Sequence, residues 1–583
     1  MRPPAPLRLA LAQLNLHVGD LDGNLAALRR WTDRARDEGA ELVLTPELSI
    51  CGYPPEDLLL KAHFLRDCRA ALDEFARGTA GIVALVGFPE WDGAVHNSLA
   101  VVADGAVRAV YRKQKLPNYA VFDERRYFTA GAEPGLLDYG GTRLALSVCE
   151  DIWADGPPPA GLAPAVDLVL NASASPYHRG KGRERERMLA QRARDRRAAV
   201  AFCNLVGGQD DLVFDGHSVV LDHHGEVLAR APQFEEALLH VDLDVETVRA
   251  ARLLNPRSSG PPESRTTTES RTTVSRPTLS RPAAGTPPPT RPAPSVVPVL
   301  DELPEVYAAL VLGVRDYVRK NGFEKVCLGV SGGIDSALVL LLAVDALGAG
   351  NVEALLMPSR YNSAGTRADA RRLADNLGVR SHEISIEPAF QAYEAMLAST
   401  FADRGPDVAE QHLQARIRGT LLMAMQNKFG WLVLTTNNKT ETSVGYSTLY
   451  GDTAGGLAVI DDVPKWLVYA LVGHRGGTGA TDPVPRGIVE RPASAETDFD
   501  QRDEDTLPKF DVLDRILELA VEENASREQI LARTGARAED VDLTLRLVAE
   551  KEFKRHQTPP GLRISPRAFG RDRRMPITNG YPG

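Results

Sequence analysis

The chain is poor in cysteine. Five occur in 583 residues, at 51, 68, 149, 203 and 327, an odd number with no close pairs. That spacing excludes a disulfide framework and a paired-cysteine zinc site, and points to a reducing, cytoplasmic setting. Long apolar runs are also missing. The strongest, "ALVLLLAVDAL" from Ala337, is about half a membrane span and contains Asp345. At the start, "MRPPAPLRLALAQLNL" is broken by Arg8 and Gln13, so it reads as a buried strand rather than a leader, and no membrane association is expected. Nor is there an excess of positive charge. The formal net charge of -10 argues against a general nucleic-acid binder, although the local Arg112-Lys113-Gln114-Lys115 cluster suits a small anion. Finally, no GxxxxGK[ST] sequence occurs, which disfavours a P-loop enzyme transferring a γ-phosphate.

What is present is ordinary globular composition, 43% hydrophobic and 25% charged, in a chain too long for one core. Between Pro256 and Pro298 the composition turns to Pro, Ser, Thr and Arg, with Ser-Arg pairs at 264, 270, 275 and 280. Nothing there builds a core, so 253–299 is expected to be a disordered linker with a reach of roughly 35 Å. It separates a domain at 1–252 from one at 300–583. Before it, short β-rich runs alternate with helical stretches, consistent with an α/β sandwich. After it, "EKVCLGV", "NVEALLMP", "SHEISI" and "WLVLTTN" are separated by long helical patterns, the signature of a doubly wound parallel sheet.

"ALSVCEDIW" places Cys149 where a strand gives way to a turn, followed at once by Glu150 and Asp151. A cysteine at the end of an apolar strand is more often an inert core residue. Neighbouring carboxylates also raise a thiol pKa above roughly 8.5, so a reactive Cys149 requires a compensating cation. Two stretches supply partners. "LTPELSICGYPPEDL" sets Glu47 after a strand, and "YRKQKLPNYAVFDERRYF" sets Lys115 just before Leu116-Pro117. Nucleophile, base and cation together are what amide cleavage requires. Cys149 attacks, Glu47 takes the thiol proton, and Lys115 offsets the negative charge and stabilises the oxyanion.

Residues 5 to 250 resemble the nitrilase, or carbon–nitrogen hydrolase, family, and within it the glutaminase domain of glutamine-dependent NAD synthetases. Glu47, Lys115 and Cys149 match the family's Glu-Lys-Cys triad, with "GYPPEDLL" and "KLPNYAVFDERRYF" matching its flanks. The resemblance implies an α-β-β-α sandwich and a glutamine pocket containing Tyr53, Tyr119, Glu124, Ser175 and Lys181.

In the second half, "VCLGVSGGIDSALVLLLAVDAL" is a strand, a glycine-bearing loop and an apolar helix. Glycines let backbone N–H groups approach an anion, and the helix N-terminus adds a favourable dipole, so a pyrophosphate fits. An acid in such a loop, Asp335, makes sense chiefly as a magnesium ligand. "SGGIDS" resembles the loop of the adenylating ATP pyrophosphatases, of adenine-nucleotide α-hydrolase type with a Rossmann-like sheet. "QARIRG", "LTTNNKTETSVGYSTLYGD", "DDVPK", "DEDTLP" and "KEFKRHQTPPG" narrow the resemblance, from about 300 to the C-terminus, to NAD synthetase. It implies an ATP site at Gly329, Val330, Ser331, Gly332, Gly333, Ile334, Asp335 and Ser336, with Thr436 and Lys465. It further implies a deamido-NAD site at His412, Arg416, Glu441 and Lys554, and Mg2+ on Asp335 and Glu441. One departure is the Gln411-His412 pair, where the family shows Glu-Asn.

The expected function is glutamine hydrolysis in the first half and amidation of adenylated deamido-NAD in the second. The resemblance also implies an internal ammonia tunnel, and because a flexible tether cannot align one, docking of folded faces within a homo-oligomer is expected. Two alternatives stay open on the residues alone: an amidotransferase that adenylates a different acceptor, another carboxylate or a purine, and an amidase fused to a module that senses ATP without turnover. Paired Asp335 and Glu441 count against the second.

Overall fold

Strand Thr142–Val148 shows how the first half is built. Leu144, Leu146 and Val148 point into a core between two sheets, while Ala145 points the other way, toward a helix layer. This is the period of two that a strand imposes, with an apolar inner face and a mixed outer face of Arg143, Ala145 and Ser147. Each such leucine, buried to 6% exposure or less, contributes roughly 1.5–3 kcal/mol.

The computed structural model describes residues 6–153, 166–254, 277–281, 293–476, 483–492, 494, 496–499 and 506–581. The chain divides into two units, residues 1–209 with 214–300, and 210–213 with 301–583. In the first unit, one sheet runs Ala237–Leu243, Leu7–Gln13, Leu42–Leu44, Val83–Trp91, Val95–Ala103, Ala106–Arg112. The other runs Val227–Arg230, Val219–Leu221, Ala199–Asn204, Leu168–Ser173, Thr142–Val148, Leu136–Tyr139, Thr278–Leu279. Helices Leu21–Asp37 and Ala62–Gly78 cover the first sheet, and helix Lys181–Arg196 covers the second, giving the expected α-β-β-α sandwich. Strands at the centre of each sheet are parallel, so their C-terminal ends, where Glu47 and Cys149 follow, lie at one edge of their sheets.

Parts of the expected linker are not free chain. Thr278 and Leu279 pair in parallel with Asp138 and Tyr139, and Arg281 forms an ion pair with Glu41 at 2.7 Å. Farther along, Arg230 N–H donates to Ser295 O and Val297 N–H to Arg230 O. A composition that cannot build a core can still add backbone hydrogen bonds to an existing edge. The Ser-Arg pairs at 264, 270 and 275 lie outside the described residues.

The second unit holds a five-stranded parallel sheet in the order Arg380–Glu383, Val352–Leu356, Val326–Gly329, Leu432–Thr435, Leu457–Ala458. The chain moves outward from Val326–Gly329 in both directions, which makes the gap between that strand and Leu432–Thr435 a switch point, the usual ligand crevice of an open α/β sheet. Helix Ile334–Leu347 is apolar all round because it packs against the sheet and against helices Glu302–Lys320 and Lys465–Gly476. Of its two acids, Asp335 lies in the first turn, and Asp345 near the far end accepts from Tyr307 Oη at 2.7 Å and from Arg475 Nε at 2.6 Å. No helix among the described residues is long and apolar enough to cross a membrane.

Candidate functional site

Cys149 sits at φ 43°, between strand Thr142–Val148 and the short helix Glu150–Trp153. A non-glycine residue in the left-handed region costs of order 1–3 kcal/mol, and such strain concentrates where a side chain must leave the sheet at a particular angle. Hydrogen bonds hold the turn: Cys149 N–H donates to Ala172 O at 2.9 Å, and Ile152 N–H to Cys149 O at 3.2 Å. Glu47 follows strand Leu42–Leu44 and is 1% exposed. Its Oε2 accepts from Ala174 N–H at 3.0 Å and its Oε1 from Asn97 Nδ2 at 2.7 Å.

The cation beside Glu47 is Lys113. Its Nζ donates to Glu47 Oε1 at 2.7 Å and to Glu124 Oε1 at 2.8 Å, and its side chain is inaccessible to solvent. Lys115, expected in this place, has an exposed side chain, and what the fold uses is its backbone N–H, donated to Asp151 Oδ1 at 2.8 Å. A period of two puts residues 111, 113 and 115 on one face, so alternation alone does not separate the lysines. The strand ends at Arg112, and the chain beyond it turns Lys113 inward and Lys115 outward.

Burial is the largest influence raising the Cys149 thiol pKa, Glu47 raises it further, and Lys113 opposes both. The thiol is therefore held protonated until a base acts. Burial alone would depress the Lys113 ammonium, but Glu124, Glu47 and Cys149 together hold it well above the ordinary lysine range. Glu124 is raised to about 7, by burial first and by Glu47, against the pull of Lys113. Tyr53 Oη donates to Glu124 Oε1 at 3.0 Å, which brings two of the expected pocket residues into this cluster.

The other expected pocket residues flank the nucleophile turn. Tyr119 is exposed and donates its hydroxyl to Glu150 Oε2 at 3.0 Å. Lys181 opens helix Lys181–Arg196, and its Nζ lies 4.1 Å from the centre of the Trp153 ring. Ser175 is buried, and its backbone N–H donates to Asn204 Oδ1 at 2.8 Å. Glu150 and Trp153 were not expected here. Their signal was adjacency to the cysteine.

In the second unit a cavity of about 590 Å³ opens at the switch point, lined by Gly329–Ser336 together with Thr436, His412, Glu441, Lys465 and Lys554. Gly332 lies at φ 88°, and a Cβ there would come within 2.4 Å of Thr366 O, so both backbone angle and space demand glycine. Ser336 Oγ donates to Gly333 O at 3.0 Å, and Gly333 N–H to Ser331 Oγ at 3.1 Å, which shapes the loop. Lys465 is 1% exposed, and its Nζ lies 2.6 Å from Asp335 Oδ2 and 3.4 Å from Glu441 Oε1. Asn438 Nδ2 donates to Asp335 Oδ1 at 2.8 Å. Glu441 is placed by a capping box with Asn438 at the start of helix Lys439–Val444.

Among the described residues no group of three or more His, Cys, Asp or Glu side chains could hold a metal by itself. Two carboxylates converging on one lysine beside a phosphate-type loop do fit Mg2+, which usually takes one or two carboxylates and completes its shell with phosphate oxygens and water.

Along helix Val408–Phe429, residues 408, 411, 412, 415, 418, 419 and 422 line the cavity, one face of a helix advancing roughly 100° per residue. Arg416 falls outside that lining and is exposed, donating to Leu449 O at 3.2 Å. Its charge, with that of Lys554, nevertheless acts with burial, the larger influence, to lower the His412 pKa. Arg418, not among the expected site residues, is the arginine of this helix in the cavity wall, which Arg367 and Arg491 also line, and burial brings the Arg418 guanidinium down to about 10. Helical periodicity was the signal available for it.

The sequence model of the carbon–nitrogen hydrolase family matches residues 8–253, and that of the NAD synthase family matches residues 306–558. The chain is 45% identical over 579 residues to the glutamine-dependent NAD(+) synthetase of Thermotoga maritima, covering 99% of each. It is 43% identical over 578 residues to that of Aquifex aeolicus, covering 99% of this chain and 100% of the relative. Among solved structures, glutamine-dependent NAD+ synthetase from Acinetobacter baumannii in complex with adenosine diphosphate is 37% identical, with a TM-score of 0.71 over 98% of this chain and 99% of that one. A second, from Cytophaga hutchinsonii, has a TM-score of 0.79 over 99% of this chain and 98% of that one at 21% identity, which speaks to the fold.

Proposed function

The chain belongs to the glutamine-dependent NAD(+) synthetase family, and we propose that Glu47, Lys113 and Cys149 carry its glutamine hydrolysis while the loop Ser331–Ser336, with Asp335, Glu441 and Lys465, carries its ATP-dependent step. In the first unit, Cys149 Sγ attacks the side-chain amide carbon of glutamine as Glu47 takes the thiol proton. Lys113, charged and enclosed, stabilises the oxyanion. Glu47 returns the proton to the departing nitrogen, ammonia leaves, and water activated by the same carboxylate hydrolyses the thioester to glutamate. Glu124 and Tyr53 hold Lys113 in place. Glu150 with Tyr119, and Lys181 stacked on Trp153, offer an acid and a cation for the two charged ends of the amino acid.

In the second unit, a carboxylate oxygen of deamido-NAD attacks the α-phosphorus of ATP, pyrophosphate leaves, and ammonia displaces AMP from the acyl adenylate to give NAD. The division follows from the chemistry: a carboxylate is a poor electrophile until its oxygen becomes part of a leaving group. Backbone N–H groups of Ser331–Ser336 face the phosphates. Asp335 and Glu441 would hold Mg2+, whose charge offsets that of the pyrophosphate. Lys465 neutralises both carboxylates until the nucleotide arrives and then turns to phosphate. His412, Arg418 and Lys554 line the rest of the cavity where the dinucleotide is placed, with Arg416 at its rim. A homo-oligomer and a cytoplasmic location belong to the same reading and rest on the family resemblance.

The observation that carries this reading is the solvent-free Lys113 ammonium held between Glu47 and Glu124. The assignment is tested by pyrophosphate release from purified protein with ATP and magnesium, screened over deamido-NAD and other carboxylates. Release that responds to deamido-NAD alone supports it. Equal release with an unrelated carboxylate defeats it.

A further inference from the structure

Asp151, two residues past the nucleophile, has a carboxylate that receives four hydrogen bonds from two separate stretches of chain. Oδ1 accepts the backbone N–H groups of Gln114 at 3.0 Å and Lys115 at 2.8 Å. Oδ2 accepts the backbone N–H of Val148 at 2.9 Å and the hydroxyl of Tyr111 at 2.8 Å. Tyr111, Gln114 and Lys115 bracket Lys113, while Val148 and Asp151 bracket Cys149. Strands Ala106–Arg112 and Thr142–Val148 belong to different sheets, so no ladder hydrogen bond joins them.

We propose that Asp151 is a positioning residue for glutamine hydrolysis, tying the segment that carries Lys113 to the turn that carries Cys149 and so fixing the ammonium relative to the thiol. The proposal rests on the assignment of Lys113 and Cys149 made above. An ammonium stabilises an oxyanion only where it is held in advance at the right place, and a lysine stem has too many rotors to hold itself. Glu47 and Glu124 fix the Nζ end; Asp151 fixes the backbone from which the stem springs. Its four donors also explain why the residue is an acid in a place where negative charge hinders the thiol. A carboxylate is acceptor-only, with about four lone-pair sites, whereas an amide would turn donors toward two of the four groups. The strained φ of Cys149 needs such an anchor, since a left-handed turn persists only where its surroundings over-determine it.

Asp151→Asn keeps the shape of the side chain and reverses half of its polarity. The expected result is a fall in kcat for glutamine hydrolysis of about tenfold or more, as one buried N–H loses its acceptor. KM for glutamine should change by less than about threefold. In Tyr111→Phe, which changes no charge, the rate of iodoacetamide alkylation of Cys149, followed by mass spectrometry against pH, should shift to more alkaline pH, because Lys113 no longer lowers the thiol pKa as effectively. Tyr111→Phe removes one donor and leaves the backbone bonds, whereas Asp151→Asn also removes a carboxylate beside the thiol, so its profile combines two effects of opposite sign. A wild-type kcat for Asp151→Asn overturns the proposal. So does an unshifted alkylation profile in Tyr111→Phe, the outcome expected if Asp151 only caps loose N–H groups. If Asp151→Asn does not fold, Tyr111→Phe decides by the same profile: a shift supports the clamp, and no shift overturns it. Cys149→Ala, assayed alongside, separates the two levels. Glutamine hydrolysis surviving there overturns the site itself, whereas an inactive Cys149→Ala beside a normal Asp151→Asn overturns the clamp alone.

Discussion

Lys113 Nζ lies 2.7 Å from Glu47 Oε1, and neither side chain is reached by solvent. A buried pair of this kind adds little net stability, but removing one partner leaves an uncompensated charge at a cost of about 3–5 kcal/mol. Lys113→Met should therefore lower the melting temperature of the first unit and reduce glutamine hydrolysis by a factor of about 10² to 10³, as expected for loss of an oxyanion partner. Lys115→Met should stay within about twofold of wild type, since its side chain is exposed and Asp151 holds its backbone. Measuring both variants separates the lysines. Greater damage from Lys115→Met would show that the fold has been misread at this strand end.

Glu47 raises the Cys149 thiol pKa by its charge, second only to burial. Glu47→Gln removes that charge and should move the alkylation profile of Cys149 to lower pH, while hydrolysis of glutamine is lost with the base. Lys113→Met removes the opposing influence and should move the profile the other way. Opposite shifts from two variants that both lose activity would be the mark of an electrostatic pair acting on one thiol. Shifts of the same sign would contradict the arrangement.

In the second unit, Asp335→Asn should abolish NAD formation from either nitrogen source, because the loop carboxylate paired with Lys465 is lost. Some glutamine hydrolysis should persist, since no thiol-site residue is touched. Pyrophosphate release measured with deamido-NAD and magnesium checks this, and a near-normal rate would remove Asp335 from the nucleotide site.

Gly332→Ala tests the loop itself. A Cβ at this position meets Thr366 O at 2.4 Å, on a backbone with φ 88°. The substitution should cost the second unit about 1–3 kcal/mol and weaken ATP binding. Thermal unfolding with and without ATP gives both quantities. A variant with unchanged melting and unchanged nucleotide shift would show that the loop adapts.

The parts of this account that were legible in the sequence are those written in local pattern. Apolar runs bounded by turn residues marked the strands in both units, and "SGGIDS" marked a tight strand-to-helix loop, in which Gly332 takes φ 88°. Cys149 and Glu47 each follow a strand, but that position alone fits an inert residue, and what singled them out was their company with a cation and the flanking motifs of the resemblance. Lys113 could not be told from Lys115, since both sit on the same face by alternation and only the end of the strand at Arg112 distinguishes them. Arg418 lies on the helical period that places Gln411, Ala415 and Leu422 in the same wall, whereas the resemblance pointed to Arg416. The pairing of Thr278 and Leu279 with Asp138 and Tyr139 had no signal in composition, because an edge accepts backbone from almost any sequence.

The central claim is that Cys149 supplies nitrogen to a synthesis it does not itself perform. The most direct measurement is the rate of NAD formation by Cys149→Ala from glutamine and, separately, from ammonium, with deamido-NAD, ATP and magnesium present and contaminating ammonia removed. The account predicts no detectable NAD from glutamine and substantial NAD from ammonium, rising with pH as free ammonia becomes more abundant. NAD formed from glutamine at a rate close to wild type would contradict it and return Cys149 to the role of a buried strand-end cysteine.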